Sequence, residues 1–438
     1  MLTILISGAG ISGLSAAIAL RRAGHRVTLL ERSRLANELG AAIHIPPNAS
    51  RALLAWGFDP LRSKAVRTRR LRRFDGVTLE PLGRDGEDHS RIEEKYGAPW
   101  FLLHRVDLHD ELRRLAEGIE GNGLPVQVRT GCEVVGYSAQ NPDAPSLTLA
   151  DGTVMNADIV IAADGVHSLA VEAVLSQPNP AVPSSKMDND NFCYRFLIPA
   201  AEIEADPETQ FWNDNSDGVN RFLVGKGKRI VSYPCRNSNE QHNFVAIFHH
   251  ENPSMSKEDW QATLPKAELL SRFSDFHPSI VAILKKANEP SQHPLLYRPP
   301  IHSYYRQRMA LVGDAAHPML PHQGQGGAQA VQDGVCLGIL LSDDPKDPGI
   351  IMSRLELYDR IRRPRASVVT IFSNAGQDEA HKVREEVYKY LGDEAIPQSP
   401  SEFHDYNFSY DVIQDSIRWM RKEVNRDFEL RNGFLHEG

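Results

Sequence analysis

The sequence predicts an α/β protein in which a parallel sheet with flanking helices is interrupted by an inserted, mainly antiparallel sheet. Three observations support this prediction. Strand and helix signals alternate from residue 2 to about residue 56. Several strand-like runs follow between residues 193 and 248. A further apolar strand at residues 309–312 precedes a helical segment, which returns the chain to the first pattern.

The chain has 438 residues, which is enough for about two or three domains. Pro, Ser and Asn become frequent after about residue 178, and the last fifty residues are charged, aromatic and helical in places. We therefore assign residues 1–178 and 297–385 to two parts of one α/β domain and residues 179–296 to the inserted sheet domain. Residues 386–438 form a C-terminal helical extension.

The first strand ends in Gly8-Ala9-Gly10-Ile11-Ser12-Gly13, and an Ala/Leu-rich helix and a second strand ending in Glu31 follow. In a Rossmann-like dinucleotide site, Gly8 permits a tight turn, Gly10 lets a pyrophosphate approach the backbone, and Gly13 lets helix and strand pack closely. The free N–H groups of the first helical turn then face the phosphates. Glu31 can accept hydrogen bonds from both ribose hydroxyls, which disfavours NADP here and leaves FAD and NAD open.

Two later strands also end in a glycine and an aspartate. Residues 159–163 lead into Asp164-Gly165, and residues 309–312 lead into Gly313-Asp314. Ligands of open parallel sheets lie at the carboxyl ends of strands, where an Asp can accept from ribose or ribityl hydroxyls. Each pair alone also fits an ordinary turn. Together with the glycine motif of residues 8–13, the two pairs form a combination that is more specific than any one of the three motifs alone.

This set resembles the single-component FAD-dependent aromatic hydroxylases, the family of salicylate and para-hydroxybenzoate hydroxylases, and the likeness is greatest to fungal members. The resemblance covers about residues 2–375. It implies a Rossmann-like FAD-binding domain of the para-hydroxybenzoate hydroxylase type, whose flavin ring is covered by the inserted sheet as substrate domain. FAD would then be the cofactor, with NADH or NADPH as co-substrate.

The resemblance also implies roles for particular residues. The first motif would bind the ADP half of FAD, Asp164 would serve both FAD and the nicotinamide donor, and Asp314 would bind the ribityl chain. Arg105 matches an arginine that contacts FAD, and Gly40-Ala41-Ala42-Ile43 matches a flavin-side loop. The full set of candidate cofactor residues is Gly8, Gly10, Gly13, Glu31, Arg32, Ala42, Arg105, Asp164, Gly313, Asp314, Pro321, Gly324, Gly326 and Gly327.

Residues 321–327 form a glycine-rich loop that opens a helix. Its free N–H groups and the positive end of the helix dipole would stabilise the anionic edge of reduced flavin. Two positions depart from the family pattern. Val171 stands where the family has Arg, so the docking of the nicotinamide donor stays open. Gln332-Asp333-Gly334 replaces Glu-Asp-Ala and removes a charge near the flavin ring.

Three side chains are candidates for catalysis. Arg195 and Tyr233 lie in apolar strands of the insert and resemble the Arg and Tyr that hold and ionise a phenol in fungal relatives. An Arg can stabilise a phenolate, and a Tyr can relay a proton. His44 could reach the substrate from the flavin loop. The structural alternatives are an ion pair for Arg195, a core tyrosine and a surface histidine. His249-His250 lacks metal-ligand spacing, so no metal site is predicted.

The predicted function is that of an oxidoreductase of secondary metabolism, a FAD-dependent monooxygenase that uses NAD(P)H and O₂ to hydroxylate an aromatic, phenolic small molecule. The family implies a flavin C4a-hydroperoxide as the oxygen donor. Two alternatives stay open: an epoxidase or oxidase of the same fold acting on an alkaloid or isoprenoid, and a non-catalytic dinucleotide-binding regulator.

The composition of the chain limits its possible binding partners and its cellular location. The net charge of −8 argues against nucleic-acid binding. No run of about eighteen apolar residues is present, so no integral membrane segment is expected. The four scattered cysteines suit a reducing compartment, and the motif near residue 3 leaves no room for a presequence, so we expect a cytoplasmic protein. A monomer and a homodimer are both compatible with the sequence.

Overall fold

A computed structural model describes residues 1–34, 41–83, 87–139, 144–179, 182–183, 191–214, 216–237, 240–249, 266–288, 290–375, 380–392 and 395–436. The helices, in chain order, are α1 (Ile11–Arg22), α2 (Pro47–Ala55), α3 (Ile92–Tyr96), α4 (Arg105–Glu117), α5 (Ala170–Leu175), α6 (Ala200–Glu204), α7 (Lys266–Arg272), α8 (Pro278–Leu284), α9 (Gly326–Leu340), α10 (Pro348–Ala375), α11 (Arg384–Val387), α12 (Pro400–Phe408) and α13 (Val412–Glu423).

The strands, in chain order, are β1 (Thr3–Ser7), β2 (Arg26–Glu31), β3 (Ala42–Ile45), β4 (Val66–Arg67), β5 (Arg70–Asp75), β6 (Glu87–Asp88), β7 (Phe101–His104), β8 (Gln127–Thr130), β9 (Val134–Ser138), β10 (Ser146–Leu149), β11 (Val154–Asn156), β12 (Ile159–Ala162), β13 (Val182–Pro183), β14 (Asn191–Pro199), β15 (Val219–Gly225), β16 (Lys228–Cys235), β17 (Gln241–His249), β18 (Ser291–Pro294), β19 (Leu296–Tyr297), β20 (Tyr305–Arg306) and β21 (Met309–Leu311).

A six-stranded sheet forms the centre of the α/β part. Its strand order is β20-β21-β12-β1-β2-β8, and its strands are parallel except for the edge pair β20 and β21. The central strands are buried on both faces, as their continuous apolar sequences require. The three predicted motifs follow β1, β12 and β21, which are neighbours, so the sheet brings their carboxyl ends to one edge.

The insert forms a seven-stranded sheet with the order β18-β14-β17-β16-β15-β5-β6. All neighbouring strands are antiparallel except β15 and β5. Strands β5 and β6 come from residues 70–88, well before the insert in sequence, a contribution that the sequence did not indicate. One face of this sheet packs its aromatic and aliphatic side chains against α7 and α8.

Along each strand of this sheet, side chains point alternately to the core face and to the opposite face. On β14 the odd-numbered Cys193 and Arg195 face one side, while Tyr194 and Phe196 pack in the core beneath α7 and α8. The same alternation places Tyr233 of β16 on the side of Arg195. Both sequence-predicted residues of the insert therefore share one face.

A small antiparallel sheet, β3-β7-β4, connects the two large sheets. His44 lies on β3 opposite Leu102 of β7, and β7 leads directly into α4, which begins at Arg105. This arrangement carries two predicted site residues toward the space between the large sheets.

The findings confirm the predicted fold class. Beneath the inserted sheet, residues 266–284 form two helices, α7 and α8, rather than one continuous helix. Pro278 begins α8, because a proline is tolerated in the first turn but not inside a helix. The His277 side chain caps this new start and accepts a hydrogen bond from the Ser279 backbone N–H at 3.3 Å.

Candidate active site

A cavity of about 390 Å³ lies between the carboxyl edge of the six-stranded sheet and the inserted sheet. It is lined by residues from both, which are far apart in sequence. The sequence-predicted residues that line it are Gly10, Ala42, His44, Arg105, Arg195, Tyr233, Asp314, Pro321, Gly324, Gly326 and Gly327. Eight of the predicted cofactor residues and the three predicted catalytic residues therefore border one space.

The dinucleotide turn has the geometry that its glycines predict. Gly8 has φ of +101°, and a Cβ there would lie 2.4 Å from the Ala163 carbonyl oxygen. A Cβ on Gly13 would lie 1.9 Å from the Gly8 carbonyl oxygen, so helix α1 and strand β1 can approach only with glycine at this position. Gly10 lines the cavity, and a Cβ there would meet no atom within 4 Å.

Two helix N-termini open onto this cavity. Helix α1 begins after Gly10 and helix α9 begins after Gln325, and neither start has a side-chain cap or an acidic residue in its first turn. The backbone N–H groups of both first turns lack intrahelical acceptors. These ends suit the pyrophosphate and the electron-rich edge of a flavin, respectively.

Six of the predicted cofactor residues do not line the cavity: the turn glycines Gly8, Gly13 and Gly313, and the side chains of Glu31, Arg32 and Asp164. Glu31 accepts hydrogen bonds from the backbone N–H groups of Ala9 and Ser33, each at 2.8 Å, so its carboxylate fastens the dinucleotide turn. Arg32 is exposed. Asp164 accepts a 2.7 Å hydrogen bond from the Tyr137 hydroxyl, and burial raises the pKa of the Asp164 carboxyl. Their cofactor roles remain predictions.

Asp314 sits at the end of β21 with its side chain accessible from the cavity. The surrounding protein desolvates the carboxyl and raises its pKa, while the nearby His317, Arg105 and Arg298 oppose that rise. The preceding Gly313 has φ of +60°, and a Cβ there would lie 2.6 Å from the Ser12 Cβ, so this turn also requires glycine.

A buried ionic network holds the Gly313-Asp314 turn in place. The Asp333 carboxylate of α9 accepts a hydrogen bond from the Gly313 backbone N–H at 2.9 Å. The same oxygen is hydrogen-bonded to the His317 Nε2 at 2.6 Å. Its other oxygen accepts from the Arg362 Nε of α10 at 2.9 Å. These charges hold the pKa of Asp333 below its usual value, although burial alone would raise it.

On the substrate side, the His44 and Tyr233 rings are in edge contact, with centroids 4.2 Å apart and planes at 81°. Burial lowers the pKa of His44 to about 4, so its imidazole is neutral at neutral pH. Burial raises the pKa of the Tyr233 hydroxyl, and the charge of Arg195 opposes this rise. Tyr233 is thus a protonated hydroxyl beside a neutral imidazole and within the electrostatic influence of Arg195.

The inserted sheet and the flavin-side loop are joined directly. The Ala42 backbone N–H donates to the Asn243 Oδ1 of β17 at 3.3 Å. A Cβ on Gly327 would lie 2.9 Å from the Ile43 Cδ1, so the start of α9 packs closely on β3. Gly40, which the sequence grouped with this loop, lies outside the described residues.

Sequence reasoning missed several cavity residues: Arg73, Trp100, Asn220, Arg229 and His404. The arginine cluster at residues 67–73 predicts a solvated face or local anion contacts. Arg67 fits a solvated face, since it is exposed and pairs with Glu93. Arg73 lines the cavity instead, because β5 joins the inserted sheet and alternation turns this side chain toward it. Residues 70–75 do not alternate regularly between apolar and polar side chains, so the sequence carried no clear signal for this orientation.

The departures from the family pattern have structural explanations. Val171 is fully buried in the main hydrophobic core, where an arginine would be costly. Gln332 is buried, and its amide donates to the Asn48 carbonyl oxygen at 3.3 Å. A Cβ on Gly334 would lie 2.6 Å from backbone atoms of Ser15 and Ala16, so α1 and α9 pack too closely there for alanine.

Comparisons with known proteins agree with this site. Residues 1–373 match the FAD binding domain family, so the chain belongs to that family. It is 43% identical over 437 residues to the FAD-dependent monooxygenase cfoG of Aspergillus candidus, covering 99% of this chain and 98% of that protein. It is 32% identical to 3-hydroxybenzoate 6-hydroxylase 1 of Aquipseudomonas alcaligenes, over 86% of this chain and 88% of the relative.

The salicylate hydroxylase substrate complex, a solved structure, aligns with a TM-score of 0.72 at 23% identity, covering 95% of this chain and 97% of that one. Together these findings confirm the predicted family resemblance, the fold class and FAD as cofactor. The protein is an enzyme, a FAD-dependent monooxygenase of the hydroxylase family. Within the described part of the chain, no helix has the length and apolarity that crossing a bilayer requires.

Proposed function

We propose that this monooxygenase hydroxylates an electron-rich phenolic aromatic and consumes NADH or NADPH together with O₂. The observation that carries the proposal is the meeting of Arg195, Tyr233 and His44 in the cavity that Gly10 and Asp314 also line. Names of relatives support the same substrate class, since one of them acts as a 3-hydroxybenzoate 6-hydroxylase.

The residues present fit FAD. The open space at Gly10 and the uncapped start of α1 would hold the pyrophosphate, and Glu31 lies beside that turn. Asp314 and Arg105 would bind the middle of the molecule, and the start of α9 would face the ring. When bound and reduced by the nicotinamide donor, FAD supplies the activation of O₂.

The protein's own side chains prepare the substrate. The Arg195 guanidinium favours the phenolate over the phenol and so raises the electron density of the ring. The protonated Tyr233 donates a hydrogen bond to the same oxygen and can relay its proton. The neutral His44 packs against the Tyr233 ring and so helps to hold that ring in place.

The cavity surroundings limit contact with water. Val231, Val245 and Phe222 of the inserted sheet and Leu320 of the opposite wall give it an apolar lining between the charged groups. The exclusion of water strengthens the electrostatic effect of Arg195. It also protects the activated oxygen from being lost without hydroxylation of the substrate. In the overall reaction, aromatic C–H, O₂, NAD(P)H and a proton give the hydroxylated product, water and NAD(P)⁺.

The test is the stoichiometry of the FAD-loaded enzyme with a panel of phenols. We expect one O₂ and one NAD(P)H consumed for each hydroxylated product. NAD(P)H oxidation that yields only hydrogen peroxide with every phenol, or an oxidised product formed without NAD(P)H, would contradict hydroxylation and support an oxidase of the same fold.

A further inference from the structure

The inserted sheet carries a row of side chains that crosses the cavity. On β5, Arg73 lies opposite Phe222 of β15, which lies opposite Val231 of β16. Val231 lies opposite Val245 of β17, which lies opposite Arg195 of β14. All five residues line the cavity. The row is thus apolar in its middle and has an arginine at each end.

The two arginines are far apart. Neighbouring strands lie about 4.8 Å apart, so the four spacings across five strands separate the Arg73 and Arg195 backbones by roughly 19 Å. A single-ring phenol is shorter than two such spacings. A substrate of that size, with its oxygen at Arg195, would therefore leave the Arg73 end of the row uncovered.

The Arg73 end has a surplus of positive charge. Among the described residues, Arg73 makes no side-chain hydrogen bond or ion pair. Asp314 is the only carboxylate among the described residues that line the cavity, and it lies at the cofactor end. A guanidinium beside apolar surface binds carboxylate oxygens strongly, because its planar N–H groups match two oxygens at once.

A second residue near this end lacks a protein partner among the described residues. Asn220 is two residues before Phe222 on the same face of β15 and lies opposite Leu71 of β5. Because Arg221 lies opposite Ser232, Asn220 is also next to Tyr233 of β16 and so stands between Tyr233 and Arg73. It lines the cavity and is only 1% exposed, and neither its amide oxygen nor its nitrogen has a hydrogen-bond partner in the described part of the chain. Buried polar groups are normally hydrogen-bonded, so a polar ligand group is expected here.

We propose that Arg73, with Asn220 beside it, forms a distal subsite that binds an acidic oxygen group at the far end of an elongated aromatic substrate. This inference rests on the proposed function, which places the reacting phenol at Arg195 and Tyr233. The substrate class is a phenol that is extended by a second ring or a conjugated chain and ends in a carboxylate or a similarly acidic group.

Two probes with the same two-ring skeleton test the subsite. They are 4′-hydroxybiphenyl-4-carboxylate, which has the distal acid, and 4-hydroxybiphenyl, which lacks it. Their dissociation constants are measured from the change in flavin absorbance of the FAD-loaded enzyme. We expect the acid to bind at least about tenfold more tightly than the neutral probe, and Arg73→Gln to reduce that ratio below about threefold.

Two further variants serve as controls. Arg73→Lys retains the positive charge and should keep part of the preference. Arg70→Gln changes an exposed arginine on the other face of the same strand and should keep the full ratio. Equal affinity for both probes in the wild type, or a preference that survives Arg73→Gln, would overturn the subsite while hydroxylation of 4-hydroxybiphenyl still upheld the proposed function. Failure to hydroxylate any phenol would contradict the proposed function itself.

Discussion

At the scale of single residues, the face of a strand decides what a side chain does. Tyr194 and Tyr233 are both tyrosines in apolar strands of the same sheet, and burial raises the pKa of both hydroxyls. Tyr194 stacks on Phe248 in the core beneath the helices, with ring centroids 5.1 Å apart. Tyr233 faces the cavity beside His44. The same residue type therefore packs in the core at one position and lines the cavity at the other.

Tyr233→Phe tests this difference. Loss of the hydroxyl removes the hydrogen bond to the substrate oxygen, so we expect kcat for phenol hydroxylation to fall about 100-fold. Tyr194→Phe is the matched control, since it removes a hydroxyl from the other face and should change kcat less than about twofold. Steady-state product formation measures both. Equal losses in the two variants would indicate that Tyr233 has only a packing role.

At the scale of elements, the close packing of α1 and α9 sets the distance between the two helix N-termini at the cavity. Gly334 and Gly338 of α9 face α1, and a Cβ on Gly338 would lie 2.5 Å from the Ala19 Cβ. Gly334, which replaces the alanine of the family pattern Glu-Asp-Ala, thus lies in this interface, where the close packing favours glycine. Asp333, in the same turn, fastens the Gly313-Asp314 turn and Arg362.

Gly334→Ala restores the family residue and should nevertheless destabilise this protein. Alanine favours helix by about 1 kcal/mol. The added Cβ would lie 2.6 Å from the α1 backbone, which cannot move like a flexible side chain. We expect the free energy of unfolding to fall by about 1–3 kcal/mol in urea titrations. The control is Gly349→Ala at the exposed start of α10, where the expected change is within about 0.5 kcal/mol. A stabilised Gly334→Ala variant would contradict the close packing.

At the scale of the whole molecule, one FAD would connect segments that are distant in sequence. Gly10 follows β1, Arg105 begins α4, and Asp314 follows β21, and all three line one cavity. A ligand that contacts all of them stabilises the folded state more than one that contacts a single segment, because only the folded chain brings them together.

We therefore expect FAD to raise the free energy of unfolding of the apoprotein, by about 2.7 kcal/mol at 100 times its dissociation constant. Thermal unfolding with increasing FAD measures the effect. AMP and FMN added together, at the same concentrations, should stabilise less, because the two halves are no longer linked. A transition temperature that does not respond to FAD, or that responds equally to the separate halves, would contradict a single extended binding site.

Much of the cofactor half was predictable from the sequence because its signals are local. Gly8, Gly10 and Gly13 act within one strand–turn–helix unit, and parallel strands necessarily bring Gly313-Asp314 to the same sheet edge. Arg195 and Tyr233 were predicted from apolar strands and family resemblance; both line the cavity, and their catalytic roles stay predictions. Arg73 and His404 were missed because their strand and helix join the site through pairings that no neighbouring residue signals.

By itself, the sequence determined the α/β class, the dinucleotide turn and the strand ends that carry aspartate, since these follow from short-range periodicity and backbone sterics. Only the tertiary structure decided that β5 completes the inserted sheet and that α12 lines the cavity. It also decided that Glu31 and Asp164 bond to their protein neighbours. The physical reason is that strand register and helix docking depend on contacts between segments that are distant in sequence. These contacts form, and stabilise the structure, only when the whole chain is packed.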